Sequence, residues 1–359
     1  MRERRVGAYV VVLQIACWPP PAQADVPTTS APVGAASLYA EAREAVEAGR
    51  HDHAASLLES AVRLEPEHVQ YRALLARTYA RLGANDRAAA EYVRLGDWYT
   101  DRGRHALAAE AFEQAEGLHR RDPQLHVRLA RAYYELKQFL GTISIRRVPG
   151  ASPGRIVGEY YLLGPVPNRP DTYYGCPPSS AIYRIQQAID GGLEDAATRL
   201  LHGDIWLAAG RHAEALAVYR SIENHVPAKE QAGYYFRSAR AALGVDATDE
   251  YFARLQRAIE LDPQRYGPAL ADAYDAMARR CSRQGELATY IQYLERGADA
   301  APASAELRYR LGNAYWEASR RTDAARQWQI ALELQPDHPD RKRMLDLIGA
   351  VGSVSSESR

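Results

Sequence analysis

Apolar and small residues recur along most of the chain at intervals of three and four, the period that gathers them on one face of a helix. The clearest stretch is 305–336. Leu311-Gly312 and Tyr315 make one stripe there, and Ala324, Trp328 and Ala331 a second. Pro336 stops the second helix, because it has no N–H to extend it. Met277-Ala278, Gly285, Leu294, Gly297 and Pro302 carry the same marks one period earlier, so two prolines thirty-four residues apart close two like segments. Each segment predicts a pair of amphipathic helices joined by a turn.

The marks return elsewhere. Residues 35–67 carry Leu38, Ala42, Gly49, Ala54, Leu58, Ala61 and Pro66, and the next segment carries Leu75-Ala76, Tyr79, Gly83, Ala88 and Tyr92. A third arrives early, with Leu95-Gly96, Tyr99, Gly103, Ala108, Phe112 and Ala115. Gly103 follows Gly83 by only twenty residues, so either one helix serves two hairpins or this segment is degenerate. Residues 125–139 supply a further helix with Leu129-Ala130 and Tyr133. Residues 196–227 repeat the pattern through Leu200, His202-Gly203, Trp206, Gly210, Ala215, Tyr219, Ile222 and Pro227. A segment ending at Pro263 carries Phe236, Gly244, Leu255 and Ala258, with about two extra residues near 246–250. Residues 341–351 read as a closing helix over the last apolar face.

This spacing and these residue types resemble the tetratricopeptide repeat (TPR), over roughly three-quarters of the chain. The resemblance implies an all-α fold, a right-handed α-solenoid of helix–turn–helix repeats, which serves as a docking surface. It implies small residues at the eighth and twentieth positions, where two helices cross closely.

Between 140 and 180 the helical pattern stops. TISIRRV (142–148) alternates isoleucine with polar residues, PGASPG (149–154) is dense in turn formers, and RIVGEYYLL (155–163) is β-branched and aromatic. Together they predict a short β-hairpin, followed by an extended, proline-pinned loop around Cys176. Tyr160, Tyr161, Tyr173 and Tyr174 either seal the joint between two half-arrays or meet a partner directly.

The N-terminus has three parts. Arg2, Arg4 and Arg5 precede an apolar run from Val6 to Trp18, and Ala22 and Ala24 stand at the −3 and −1 positions of a cleavage site. The run is short of the roughly 20 residues a spanning helix needs. Cys17, after Leu13-Gln14-Ile15-Ala16, faintly resembles a bacterial lipobox, with Gln14 where leucine is usual. Soluble export to the periplasm or medium is the favoured reading, lipoprotein anchoring at Cys17 the other. The segments are then a signal peptide (1–24), a disordered linker (25–34), an N-terminal array (35–139), the insertion (140–180), a C-terminal array (181–338), a capping helix (339–351) and a disordered tail (352–359).

Composition removes several function classes. The 359 residues are 47% hydrophobic and 25% charged, with 45 basic against 45 acidic side chains and no net charge. Loss of residues 1–24 removes three arginines and one glutamate, leaving −2. No electrostatic footprint for nucleic acid results. Cys176 and Cys281 remain, but more than two repeats separate them at about 8–10 Å per packed helix, so no disulfide is expected. The chain has no HExxH, CxxC or Walker-type loop, and His51-Asp52-His53 reads as a solvated turn. No catalytic set, metal site or cofactor is expected.

The resemblance also implies which residues face a ligand. Helix A lines the groove of such arrays through its fifth, ninth and twelfth positions. Those are Tyr39, Arg43 and Val46; Ala73, Arg77 and Ala80; Val127, Arg131 and Tyr134; Leu200, Asp204 and Leu207; Asp275, Arg279 and Ser282; and Tyr309, Asn313 and Trp316. Arg43, Arg77 and Arg131 repeat at the ninth position and suit an acidic or C-terminal segment of a protein partner. Tyr309, Asn313 and Trp316 form an aromatic and amide patch. The lysine and asparagine set of the chaperone-type carboxylate clamp is not reproduced. The expected function is an exported scaffold or adaptor for protein–protein interaction, in envelope assembly or secretion. The alternatives are an accessory to exopolysaccharide export and an enzyme with its site in the insertion.

Overall fold

The computed structural model describes residues 33–119, 122–146, 153–157, 159–166 and 172–357. The expected signal peptide, the Cys17 lipobox reading and most of the expected linker lie outside the described residues. Two compact units divide the chain, one ending at Leu95 and the other starting at Gly96.

In the first unit α1 (Val33–Glu47) and α2 (His51–Leu64) form one helical hairpin, and α3 (Val69–Arg81) packs against α2. Ala54, Leu58 and Ala61, one helical turn apart, are buried on α2, as the stripe requires. Ala35, Ala61 and Tyr71 close a small core. The turn after α1 runs through Gly49 at φ 73°, the left-handed region that favours glycine. Tyr79 Oη donates to Glu59 Oε1 at 2.5 Å across the two hairpins, and Arg87 lies over the Tyr79 ring. Next comes α4 (Asn85–Asp101), a single helix inside which the unit boundary falls. It answers the twenty-residue glycine spacing. Buried Ala88 and Tyr92 are marks of a second helix, whereas Leu95, Gly96 and Tyr99 are marks of a first helix. One helix therefore serves both hairpins.

The second unit continues with α5 (His105–Leu118), α6 (Pro123–Glu135), α7 (Ala181–Asp190), α8 (Ala196–Ala208) and α9 (His212–Ile222). Then follow α10 (Ala228–Gly244), α11 (Thr248–Leu261), α12 (Pro263–Gln284), α13 (Leu287–Ala300), α14 (Ala305–Glu317), α15 (Arg321–Leu334) and α16 (Arg341–Glu357). Each helix packs on the next, with the broadest contacts inside the hairpins α6–α7, α8–α9, α10–α11, α12–α13 and α14–α15. The helices cross closely where glycine faces an aromatic ring. A Cβ placed on Gly96, Gly203 or Gly312 would stand 2.4, 2.6 or 2.5 Å from Phe112, Tyr219 or Trp328. The Tyr–Glu bond between hairpins recurs as Tyr133 to Glu113, and as Tyr315 to Glu295 at 2.5 Å. The closing helix α16 continues beyond Val351, the end read from the sequence, as far as Glu357. Residues 352–357 contain no proline, so nothing in them stops the helix.

The insertion corrects the expected pairing. Four strands, β1 (Ile143–Arg146), β2 (Ile156–Val157), β3 (Tyr160–Pro165) and β4 (Thr172–Cys176), form one antiparallel sheet in the order β1-β4-β3-β2. β1 pairs with β4 and not with residues 155–163, and the expected loop around Cys176 is the inner strand β4. Pro165, Pro167 and Pro170 suggested a loop, yet β4 starts after the last of them and stops before Pro177. The chain re-enters the helices beside its point of departure. Ala181 N donates to Gln138 O at 2.8 Å and Ile182 N to Phe139 O at 3.1 Å. The insertion therefore occupies the turn between α6 and α7, the two helices of one repeat.

Its tyrosines differ in burial. Tyr161, Leu162 and Cys176 are buried, and the Tyr161 ring lies 6.1 Å from that of Trp206. Tyr174 is exposed. Cys176 and Cys281 are both buried free thiols. Beneath the sheet, buried Arg184 of α7 pairs with Glu116 of α5, whose carboxylate lies 3.6 Å from His126 Nδ1.

Candidate functional site

Three helices of the second unit bring polar side chains to one place. On α6 the packing stripe is Leu125, Leu129, Ala130 and Tyr133, which leaves Arg131 exposed and Tyr134 half-buried beside it. On α8, Gly203, Ile205 and Trp206 are buried and Asp204 lies between them. On α10, Tyr234, Ser238 and Ala242 are buried one turn apart, and Arg237 and Arg240 lie off that stripe.

Asp204 is the centre. Its Oδ1 accepts a hydrogen bond from Tyr219 Oη at 2.6 Å and lies 2.8 Å from Arg237 Nε. Burial raises the Asp204 carboxyl above the ordinary carboxylate range, against the opposing pull of Arg237, the Tyr219 hydroxyl and Arg131. Burial raises the Tyr134 hydroxyl too, helped by the charge of Asp204 and opposed by Arg237 and Arg240. Asp204 thus lies among Arg237, Arg131 and Glu230, and Tyr134 beside it among Asp204, Glu135, Arg237 and Arg240. Arg237 is committed to Asp204, while Arg131 and Arg240 make no ion pair with any described residue. Two exposed guanidinium groups are left, each a fork able to hold a carboxylate on two bonds.

Beside this cluster lies an open cleft of about 660 Å³. Lys137, Phe139 and Leu140 line it where α6 runs out, Pro177 and Ser179 where the insertion returns, and Ala208 where α8 ends. The Tyr134 and Phe139 rings, 5.6 Å apart, connect cluster and cleft. Tetrad geometry for a metal is missing: among the described residues no three His, Cys, Asp or Glu side chains gather. No helix of the described residues is long and apolar enough to cross a membrane.

The other residues expected in the groove have different surroundings. Arg43 on α1 and Arg77 on α3 are exposed in the first unit. The Tyr309 ring lies 4.6 Å from that of His338, tilted by 45°, and has Asn313 and Asp340 as hydrogen-bonding neighbours. Trp316 lies 5.5 Å from Trp328 and carries the Arg321 guanidinium 3.7 Å above its ring. The chain's own groups thus occupy much of that patch. Asp275 pairs with Arg279 and Arg310, and Leu200 is buried in the core and does not line a groove. Arg237 and Arg240 went unread in the sequence, although Tyr234, Ser238 and Ala242 at intervals of four would have marked the face they avoid.

Residues 45–102 and 178–233 each match the tetratricopeptide repeat family. The chain is a tetratricopeptide repeat protein. A TPR protein of Parabacteroides merdae aligns over 88% of this chain and 98% of its own at 15% identity, with a TM-score of 0.38. YrrB, a TPR protein with an unusual peptide-binding site, aligns over 64% of this chain and 95% of its own at 15% identity and 0.37. PilF of Pseudomonas aeruginosa aligns over 73% of this chain and 99% of its own at 14% identity and 0.37. No curated protein matches the sequence. TPR repeats are typically non-catalytic scaffolds for protein interaction. In this TPR protein α6, α8 and α10 are first helices of successive hairpins, the helices that line a groove in the family.

Proposed function

We propose that this TPR protein is an exported scaffold that holds an acidic segment of a protein partner against α6, α8 and α10, in envelope assembly or secretion. The observation that carries the reading is the cluster around Asp204. Arg237 pairs with Asp204, and exposed Arg131 and Arg240 make no ion pair with a described residue and remain for a ligand. Affinity in such a surface concentrates in a few arginine and aromatic anchors. Export rests on the basic, apolar and small-residue parts of residues 1–24.

Crosslinking pull-down from intact cells tests the binding. A partner recovered by the wild-type chain and lost with Arg131→Glu and Arg240→Glu supports it. Recovery unaffected by either reversal overturns it. Fusion of residues 1–24 to a reporter active only outside the cytoplasm tests export, and an inactive fusion removes that part.

A further inference from the structure

We infer that the cleft between the insertion and the ends of α6 and α8 is an anchor pocket for an apolar side chain of the partner, next to the acidic residue taken by Arg131 and Arg240. The inference rests on the reading above and gives the bound segment a sequence.

The cleft has the size of a ligand site. Its volume of about 660 Å³ lies within the range of about 300–1,000 Å³ usual for such pockets. Phe139, Leu140, Pro177 and Ala208 give it apolar walls. The hydrogen bonds Ala181 to Gln138 and Ile182 to Phe139 pin both ends of the insertion, so its wall is held against the repeat and does not depend on the sheet's outer parts. A pocket pre-formed in this way binds without first ordering a loop. The repeat alone would not make it, because Leu140, Pro177 and Ser179 belong to the insertion.

Charge and spacing select the occupant. Arg131 and Tyr134 stand three residues apart on one face of α6, and the Tyr134 ring lies 5.6 Å from that of Phe139 in the cleft wall, so the cluster and the cleft adjoin where α6 ends. Three residues of rise from Arg131 to Tyr134 at about 1.5 Å each, with the 5.6 Å between the rings, set the two at most roughly 10 Å apart. An extended peptide covers that in about three residues at about 3.3 Å each. The fitting segment therefore has an acidic side chain and a large apolar one about three positions apart. Exposed Lys137 on the rim makes no ion pair with a described residue and favours a further acidic group there.

Selection of a random dodecapeptide phage library on the full-length protein tests the inference, followed by titration of the enriched peptides as synthetic probes. Ala208→Arg and Ser179→Arg fill the cleft from opposite walls, and both positions are exposed, so the variants keep the fold. Expected are peptides pairing Asp or Glu with Leu, Ile, Met or Phe three residues away, which lose about tenfold or more in affinity to either variant. Replacing the peptide's apolar residue by Ser then weakens binding to the wild type but not to Ala208→Arg. Acidic peptides that respond to Arg131→Glu and ignore both cleft variants overturn the inference and leave the groove reading standing. Peptides that respond to the cleft variants and ignore Arg131→Glu overturn the acidic pairing. Failure of any peptide to enrich, or indifference to all three variants, overturns both.

Discussion

Substituting Gly203 by alanine tests the helix crossing beneath the Asp204 cluster. Its new Cβ would lie 2.6 Å from Tyr219 Cε1, 2.9 Å from Cδ1 and 3.0 Å from Cζ, where ordinary contact begins at 3.4 Å. The ring would have to retreat by about 0.8 Å, the difference between 2.6 and 3.4 Å. It has little freedom to do so. Tyr219 is fully buried, its hydroxyl donates to Asp204 at 2.6 Å, and its carbonyl accepts from Tyr234 Oη at 2.9 Å. Overpacking of this kind costs about 1–3 kcal/mol, and a strained bond to a charged group about 1.5 kcal/mol more. Alanine's better helix propensity returns about 1 kcal/mol. The net expectation is a loss of about 2–3 kcal/mol. Gly117→Ala is the control, since its Cβ meets nothing within 4 Å on an exposed turn of α5, and it should gain up to about 1 kcal/mol. Denaturant midpoints by circular dichroism measure both. A Gly203→Ala midpoint equal to or above that of wild type would falsify the claim that the glycine is required by the ring.

Four further outcomes are expected. Ser319 holds φ 61° in the turn before α15, so Ser319→Gly should raise the midpoint by up to about 1 kcal/mol in thermal or chemical unfolding; a decrease contradicts the left-handed strain. Burial lowers the His202 pKa from 6.5 to about 4, with Trp206 Nε1 donating to its Nε2 at 2.8 Å. The unfolded chain then binds the extra proton, so stability is full above pH 6.5 and falls as pH drops toward 4, by on the order of 3 kcal/mol; His202→Gln should flatten that slope in unfolding curves at pH 7 and 4.5. Arg184→Met leaves the Glu116 carboxylate without its buried partner and should cost about 3–5 kcal/mol, much of it recovered by adding Glu116→Gln, as read from the same midpoints. Burial pushes the Cys176 thiol up to about 12, so iodoacetamide at pH 8 should label it only after unfolding.

The parts of the fold that depend on neighbouring residues could be read from the chain. Ala54, Leu58 and Ala61, or Ala324, Trp328 and Ala331, stand at helical intervals and are buried, because a stripe on a helix has nowhere else to go. The parts set by distant residues could not. Hydrophobic period says that 181–190 is a helix, but not that α7 completes the hairpin begun by α6 across forty-five intervening residues (136–180). Alternation marks 143–146 as a strand, but its partner β4 is held by β3, which packs through Tyr161 on Trp206 and against α7, and no local pattern contains those contacts. The binding cluster shows the same division. Arg131 and Asp204 sit in helices of regular register and could be named; Arg237 and Arg240 sit in α10, where the extra residues near 246–250 shift the count back from Pro263. The close Gly–ring crossings restrict what the helices themselves can change: a larger side chain at Gly203 disturbs Tyr219 and, through it, Asp204. An insertion in the turn between α6 and α7 meets no such restriction. Its ends close on Gln138 and Phe139, the hairpin packs as its neighbours do, and new side chains are brought beside the groove helices without moving them. Under the proposed binding role, specificity has room to vary in the turn, while Arg131, Arg237 and Arg240 stay on helices whose packing holds them in place.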